Sequence, residues 1–488
     1  MPLVAAHIPT TLNHNPPLLV SLKINNILIH ILAKRWYNTL RKKLIAGRVD
    51  QKPMTTYTKH KCEIAPGVNL TCVTTEKFKT GCISVTLVTG LSRKTASKLA
   101  LTPRVLRRGS AEYPDMKRLS EALDELYGAR LEPMIRKKGE LHCMGFFADF
   151  PDDRYIDDKN ILEKTARLLG GVLLKPDMPE GLLRSDYVNG ERSYLIDDIR
   201  AMINDKRGYS IKRLLEEMCS TEEYSVGKLG SEDDAKEITP ETLTAQYQDV
   251  LAKSRIEVFY CGSAPPGRVK SALDPMFSDL PSRQSAAPPE TKIILYPDSG
   301  APKHIIEKLD VVQGKMAIGY RLGDAMKGTP DYPALMVANA VYGSGDTSKL
   351  FRNVREKMSL SYSVGSMLDM HKGIMVVTAG VDFNKVETAL NEIQAQLDQV
   401  GKGEVSEQEM TSAKSSVATA VKLALDRPGG LEGLYFDSAV SPVPYDPDEL
   451  GCKIEAVTRD DVAKIASEAH LDTIYFLTGT EEGVEHAT

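Results

Sequence analysis

Two histidines one helical turn apart can hold a catalytic zinc ion, and this sequence has no such pair. Its nine histidines are scattered, and no two lie closer than seven residues apart. Imidazoles at i and i+4 share one helical face and reach one ion, which wider spacings on a single helix do not allow. A helical H-x-x-E-H or H-E-x-x-H site is therefore excluded. No G-x-S-x-G occurs, so a nucleophile elbow is excluded as well. Gly343-Ser344-Gly345 is half of a phosphate loop without a third Gly or a following G-K-[ST], and it reads as a helix-end turn. His142 alternates with apolar residues and reads as a satisfied, partly buried strand histidine. His304 and His371 show no cluster, and Glu232-Asp233-Asp234 reads as a solvated turn. The seven cysteines contain no C-x-x-C pair, which suits buried free thiols in a reduced, cytoplasmic chain.

The elements that would position any chemistry fit a soluble globular chain of 488 residues with two to four domains. The net charge of −4 is unevenly spread. Residues 1–53 hold eight Lys or Arg and one acid, Asp50, which leaves 54 basic and 65 acidic residues for 54–488. An acidic body argues against nucleic acid as a partner. The stretch Pro17–Ala33 is apolar but interrupted by Lys23, Asn25, Asn26 and His30, so membrane contact is not expected. Residues 1–53 read as an extension, disordered or upstream of the true start at Met54.

One unit occurs twice. The first copy reads as a strand from Gly81, helices near Ser97–Arg108 and Met116–Leu126, strands Ala129–Ile135 and Glu140–Phe147, then helices over Asn160–Leu174 and Leu182–Met218. The second copy replays this as strand Gly314–Leu322, helices Tyr332–Val341 and Lys349–Lys357, strands Leu360–Leu368 and Gly373–Val381, and helices Asn384–Val400 and Ser406–Leu425. Each copy closes on a capped helix and a strand. Thr239-Pro240 precedes Ile256–Cys261, and Thr458-Arg459 precedes Ile474–Leu477. The expected organisation is an extension 1–53, a domain 54–280, a Pro-rich linker 281–292 and a second domain 293–488. The expected class is α+β, two homologous domains, each a mainly antiparallel sheet backed by helices.

The run Ser348-Lys349-Leu350-Phe351-Arg352-Asn353-Val354-Arg355-Glu356-Lys357-Met358-Ser359-Leu360-Ser361-Tyr362-Ser363 resembles the S-x-L-F-x-x-v-R-E-k-x-x-L-x-Y-s stretch of the insulinase/pitrilysin family, which includes the mitochondrial processing peptidases. Leu106-Arg107-Arg108-Gly109-Ser110-Ala111-Glu112-Tyr113-Pro114 and Leu123-Asp124-Glu125-Leu126-Tyr127-Gly128-Ala129 resemble the segments that follow that family's zinc helix. The resemblance implies half of a clamshell chamber. Active halves hold zinc through H-x-x-E-H and a distant Glu. Here those positions fall on Ala100, Pro103, Arg104 and Asp198, and the first three cannot do the work. Asp198 reads as a solvated helix charge. Thr102-Pro103 is a good cap and first-position pair, so the helix is expected to begin later than in active relatives. The string Leu99–Gly109 is most similar to the YfmF-like bacterial branch, which the resemblance ties to 5-aminopentanol modification of elongation factor P and to inactive partners of a zinc-bearing subunit.

The resemblance therefore implies no catalytic residue, no metal and no cofactor in this chain, with zinc only in a partner. Arg355 and Tyr362 match positions where the second domain meets bound peptide. The expected function is a catalytically inactive homologue in a heteromeric complex that binds or positions peptide for an active partner. Two alternatives stand beside it: a purely structural or regulatory assembly subunit, and an active metallopeptidase with a non-standard site.

Overall fold

In the computed structural model, residues 57–278, 280, 290–298, 300–442 and 445–480 are described. The extension 1–53 and the linker core 281–289 lie outside the described residues. The first sheet runs in the order β1 (Tyr57–Ala65), β2 (Val68–Thr75), β6 (Arg255–Gly262), β3 (Thr80–Gly90), β5 (Leu141–Pro151), β4 (Arg130–Lys138). The second runs β7 (Lys303–Leu309), β11 (His470–Gly479), β8 (Gly314–Arg321), β10 (Ile374–Val381), β9 (Ser361–Asp369). All ladders are antiparallel except β2 with β6 and β7 with β11. With β1 set aside, the two sheets match strand for strand, and the duplication read from the pattern is a duplication in space. Each sheet is thus mixed but mainly antiparallel.

Helices α1 (Arg93–Leu106), α2 (Met116–Glu125), α3 (Ile161–Leu174), α4 (Ser185–Ala201) and α7 (Pro240–Lys253) back the first sheet. The helical region expected from Leu182 to about Met218 consists of two helices. A 3₁₀ turn at Met202–Asn204 and Asp205, which caps the amide of Gly208, separate α4 from α5 (Lys206–Met218). The acidic run 232–234 is the first turn of a short helix, α6 (Glu232–Lys236), rather than a solvated turn. Ser231 caps it, and acids at its N-terminus favour the helix dipole. Helix α8 (Pro266–Ser278) then leads out of the first half. The second sheet is backed by α9 (Tyr332–Tyr342), α10 (Val386–Gly401), α11 (Glu407–Leu425), α13 (Leu450–Ala456) and α14 (Arg459–Ser467). The segment Leu350–Lys357 is wound as a π-helix. Thr239, Ser406 and Thr458 each close a capping box.

The halves exchange helices. Helix α5 belongs to the first half, yet its Leu214 and Met218 pack on Ala317, Ile374, Val376, Tyr475 and Leu477 of the second sheet. Reciprocally, α12 (Pro428–Val440) packs Leu431 and Tyr435 on Val73, Cys82, Phe259 and Cys261 of the first sheet. Its Phe436 and Val440 cover Val88, Leu141 and Cys143. Each fully buried side chain of this kind contributes roughly 1.5–3 kcal/mol. Gly430 makes the turn from α11 into α12 possible, since a Cβ there would lie 2.1 Å from the Ala424 carbonyl oxygen. A partly buried ion pair fastens the exchange. Arg136 donates twice to Glu432, at 2.9 and 2.8 Å, and Ser84 Oγ donates to the same carboxylate at 3.0 Å.

Candidate functional site

Helices α1 and α4 carry the four positions where a zinc site was sought. The first is sealed in the core, since Ala100 has no exposed surface and packs in the apolar layer under the first sheet. The expectation of a late helix start fails. Helix α1 runs from Arg93 with Pro103 inside it. Its buried face, Ala96, Leu99, Ala100, Leu101, Val105 and Leu106, holds the helix to the sheet and outweighs the local cost of the proline, about 3 kcal/mol in a helix interior. Pro103 sits in the last turn, where one lost backbone bond disturbs least. Thr102 does not cap the helix. Its Oγ donates back to the carbonyl of Lys98 at 2.8 Å.

Arg104 and Asp198 meet. The Arg104 guanidinium lies 2.8 Å from the Asp198 carboxylate. One turn on, Arg108 donates to Glu191, which is seven residues before Asp198. The pairs 104–198 and 108–191 form a two-rung ladder from the last turn of α1 and the turn after it to α4. Asp198 is half exposed but not free, so its reading as a merely solvated charge is corrected. The residues do not fit zinc. One position lacks any ligand atom, another is a ring without a basic group, and the third places a permanent cation where the ion would sit. Among the described residues, no group of three or more His, Cys, Asp or Glu could hold a metal ion.

The remaining expected residues lie elsewhere on the second half. Arg355 sits on the π-helical segment with its guanidinium 4.5 Å from the centre of the Phe351 ring. Tyr362, on strand β9 at the edge of the second sheet, is 66% exposed. Neither makes a hydrogen bond or ion pair with another described residue, so both present their polar groups outward. Gly343 and Ser344 donate to the carbonyl of Asn339 and close α9, as the Gly-Ser-Gly pattern suggested. His142 is fully rather than partly buried, and burial pushes its pKa down to about 4, which keeps it neutral.

A buried cluster that the sequence did not reveal joins the halves. Arg321 bonds Asp472 at 2.6 Å and Glu222 at 2.7 Å. Lys372, fully buried, bonds Glu140 at 2.6 Å and lies 2.6 Å from the second oxygen of Glu222. Burial pushes the Glu222 carboxyl up, and the bonds from Lys372 and Arg321 outweigh it, leaving the group below the usual carboxylate range. No helix among the described residues is long and apolar enough to cross a membrane.

Comparison with known proteins bears on this geometry. Over 421 residues the chain is 34% identical to the "Probable inactive metalloprotease YmfF" of Bacillus subtilis, covering 85% of this chain and 96% of the relative. The chain belongs to the insulinase (M16) peptidase family. Residues 237–417 match the family description "Peptidase M16 inactive domain". A conserved protein from Enterococcus faecalis V583 of known structure superposes with a TM-score of 0.78 at 26% identity, over 86% of this chain and 99% of that one. The peptidase M16 inactive domain from Pseudomonas fluorescens shares the fold, with a TM-score of 0.70 at 16% identity over 87% and 98% of the two chains. The chain spans nearly the whole length of these relatives, and an arginine–carboxylate ladder joins α1 to α4 at the positions that the sequence resemblance compares with the family's zinc ligands.

Proposed function

We propose that this chain is a non-catalytic subunit of a heteromeric peptidase-like complex, which completes the chamber of a zinc-bearing family member and holds substrate peptide. The observation that carries the reading is the contrast between the two halves. The positions that the resemblance assigns to a metal hold the Arg104–Asp198 ion pair, while Arg355 and Tyr362 stay exposed on the second half. An arginine fork can grip peptide carbonyls and a tyrosine hydroxyl can hold a developing oxyanion, so both suit peptide handling without a metal of their own. A cytoplasmic setting, which rests on the scattered cysteines, and a link to 5-aminopentanol modification of elongation factor P, which rests on the branch resemblance, belong to the same proposal. The test is to assemble the complex with Arg355→Gln and Tyr362→Phe variants and assay its peptidase activity. A fall of roughly tenfold or more with assembly intact is expected, from the loss of one charge-assisted bond. Unchanged activity would point to a purely structural subunit.

A further inference from the structure

At Ser363 a small polar cleft opens between the start of α5 and the second sheet. It holds about 40 Å³ and is lined chiefly by Arg207, Ser210, Lys315, Ser363, Thr378 and Gly380. Ser210 and Thr378 are buried in its floor, while Arg207 and Ser363 are exposed at its rim. Arg207 Nε donates to Thr378 Oγ1 at 3.1 Å, which aims the guanidinium along the cleft. Lys315 donates to Gln313. Neither cation forms an ion pair with a described residue. The nearest acid in sequence, Asp205, is engaged as the cap of α5, accepting from the amide of Gly208 at 3.1 Å. This differs from four basic groups elsewhere in the chain. Arg321, Lys372, Arg136 and Lys349 each have a carboxylate within 3.0 Å. Two cations without a carboxylate partner among the described residues, lining one cleft with three hydroxyls, make a site for an anion. Burial lowers the pKa of Lys315, and an anion would reverse that.

We propose that this cleft binds a carboxylate, supplied by an acidic side chain or the free C-terminus of a peptide lying along β9. The inference rests on the peptide-binding reading for its biological source, but not for its chemistry. One water-sized group needs roughly 10–15 Å³, so the cleft has room for about three, which matches the carbon and two oxygens of one carboxylate. Strand β9 pairs with β10 on one side only among the described residues, so an extended segment beside it would pass over Ser363 and could lower an acidic group towards Arg207 and Lys315.

Malonate is the probe. It is titrated into the full chain at constant ionic strength, following the thermal midpoint and the heat of binding. Wild type is expected to show a saturable response. An Arg207→Gln/Lys315→Gln double variant is expected to need at least roughly tenfold more malonate, since each charge-assisted bond is worth about a factor of ten. Equal responses, or no saturation in wild type, would overturn the proposal. Should the double variant fail to fold, Ser363→Asp, which puts a carboxylate on the exposed rim, is expected to abolish the response, and a retained response refutes the site. The pentapeptide Ala-Ala-Phe-Ala-Glu, its C-terminal amide and its Glu→Gln form then separate the two carboxylate sources. If malonate binds as expected while peptide binding ignores Arg355 and Tyr362, the cleft stands and the peptide reading falls. If peptide binding needs Tyr362 but malonate binds both proteins alike, the cleft falls alone.

Discussion

Replacing Lys372 by methionine removes one cation from the buried cluster between the halves and keeps most of the side-chain volume. Lys372 has no exposed surface, and its ammonium neutralises both Glu140 and Glu222. After the change Glu222 keeps Arg321 at 2.7 Å, and Glu140 keeps only the amide of Lys292 at 3.1 Å. Breaking a buried pair from one side costs about 3–5 kcal/mol, and the surviving partners put the expected loss near the lower end. The change should also alter acid sensitivity. The Glu222 carboxyl is held below its unfolded value, so it contributes stability above the unfolded pKa and loses it as pH falls through the folded pKa. Without Lys372 the folded pKa rises, that contribution shrinks, and acid unfolding begins at a higher pH. Urea unfolding at about pH 7, with an acid titration of both proteins, measures both effects. A loss below about 1 kcal/mol with an unchanged acid midpoint would refute the idea that this cluster holds the halves together.

Further outcomes follow from other parts of the molecule. The variant carrying Ala100→His, Pro103→Glu, Arg104→His and Asp198→Glu is expected to bind zinc, which equilibrium dialysis would detect; no zinc uptake by the folded variant would mean that α1 and α4 no longer frame a metal site. His142 has a folded pKa near 4 against an unfolded value of about 6.5, so the native state should lose up to roughly 3 kcal/mol as pH falls across that window. His142→Gln should flatten this slope, and identical pH profiles would contradict the assignment. Among the cysteines, exposed Cys452 and half-buried Cys62 should react with a thiol reagent in the native protein. Cys72, Cys82, Cys143, Cys219 and Cys261 should react only after unfolding, because burial raises their thiols. Leu431→Ala in α12 should cost about 2–5 kcal/mol in urea unfolding, and an effect under 1 kcal/mol would deny that the exchanged helix is structural.

Much of the scaffold was legible because local signals agreed with it. Thr239, Ser406 and Thr458 announced three helix starts, and the paired hairpins around Gly139 and Gly373 announced the duplication. The helix exchange was not legible. Helix α12 contains Gly429, Gly430 and Gly433 and is apolar on several faces, so neither propensity nor periodicity marked it, and which sheet it covers depends on contacts hundreds of residues away. Strands β1 and β2 were missed beside the unusual extension. Pro103 misled for a similar reason, since Thr-Pro is a strong local start signal and only the buried face of α1 shows why it yields. At the site, the ruined positions could be counted from the motif, but the ladder could not. Arg104 and Asp198 lie on different helices, and only the packing of α1 on α4 makes them partners.

The most direct measurement is native purification of the untagged chain from its own cells, with mass and metal content determined on the intact species. A two-subunit complex carrying zinc on the second subunit, and none on this chain, is the expected result. A monomer, or a stoichiometric zinc ion on this chain itself, would contradict it.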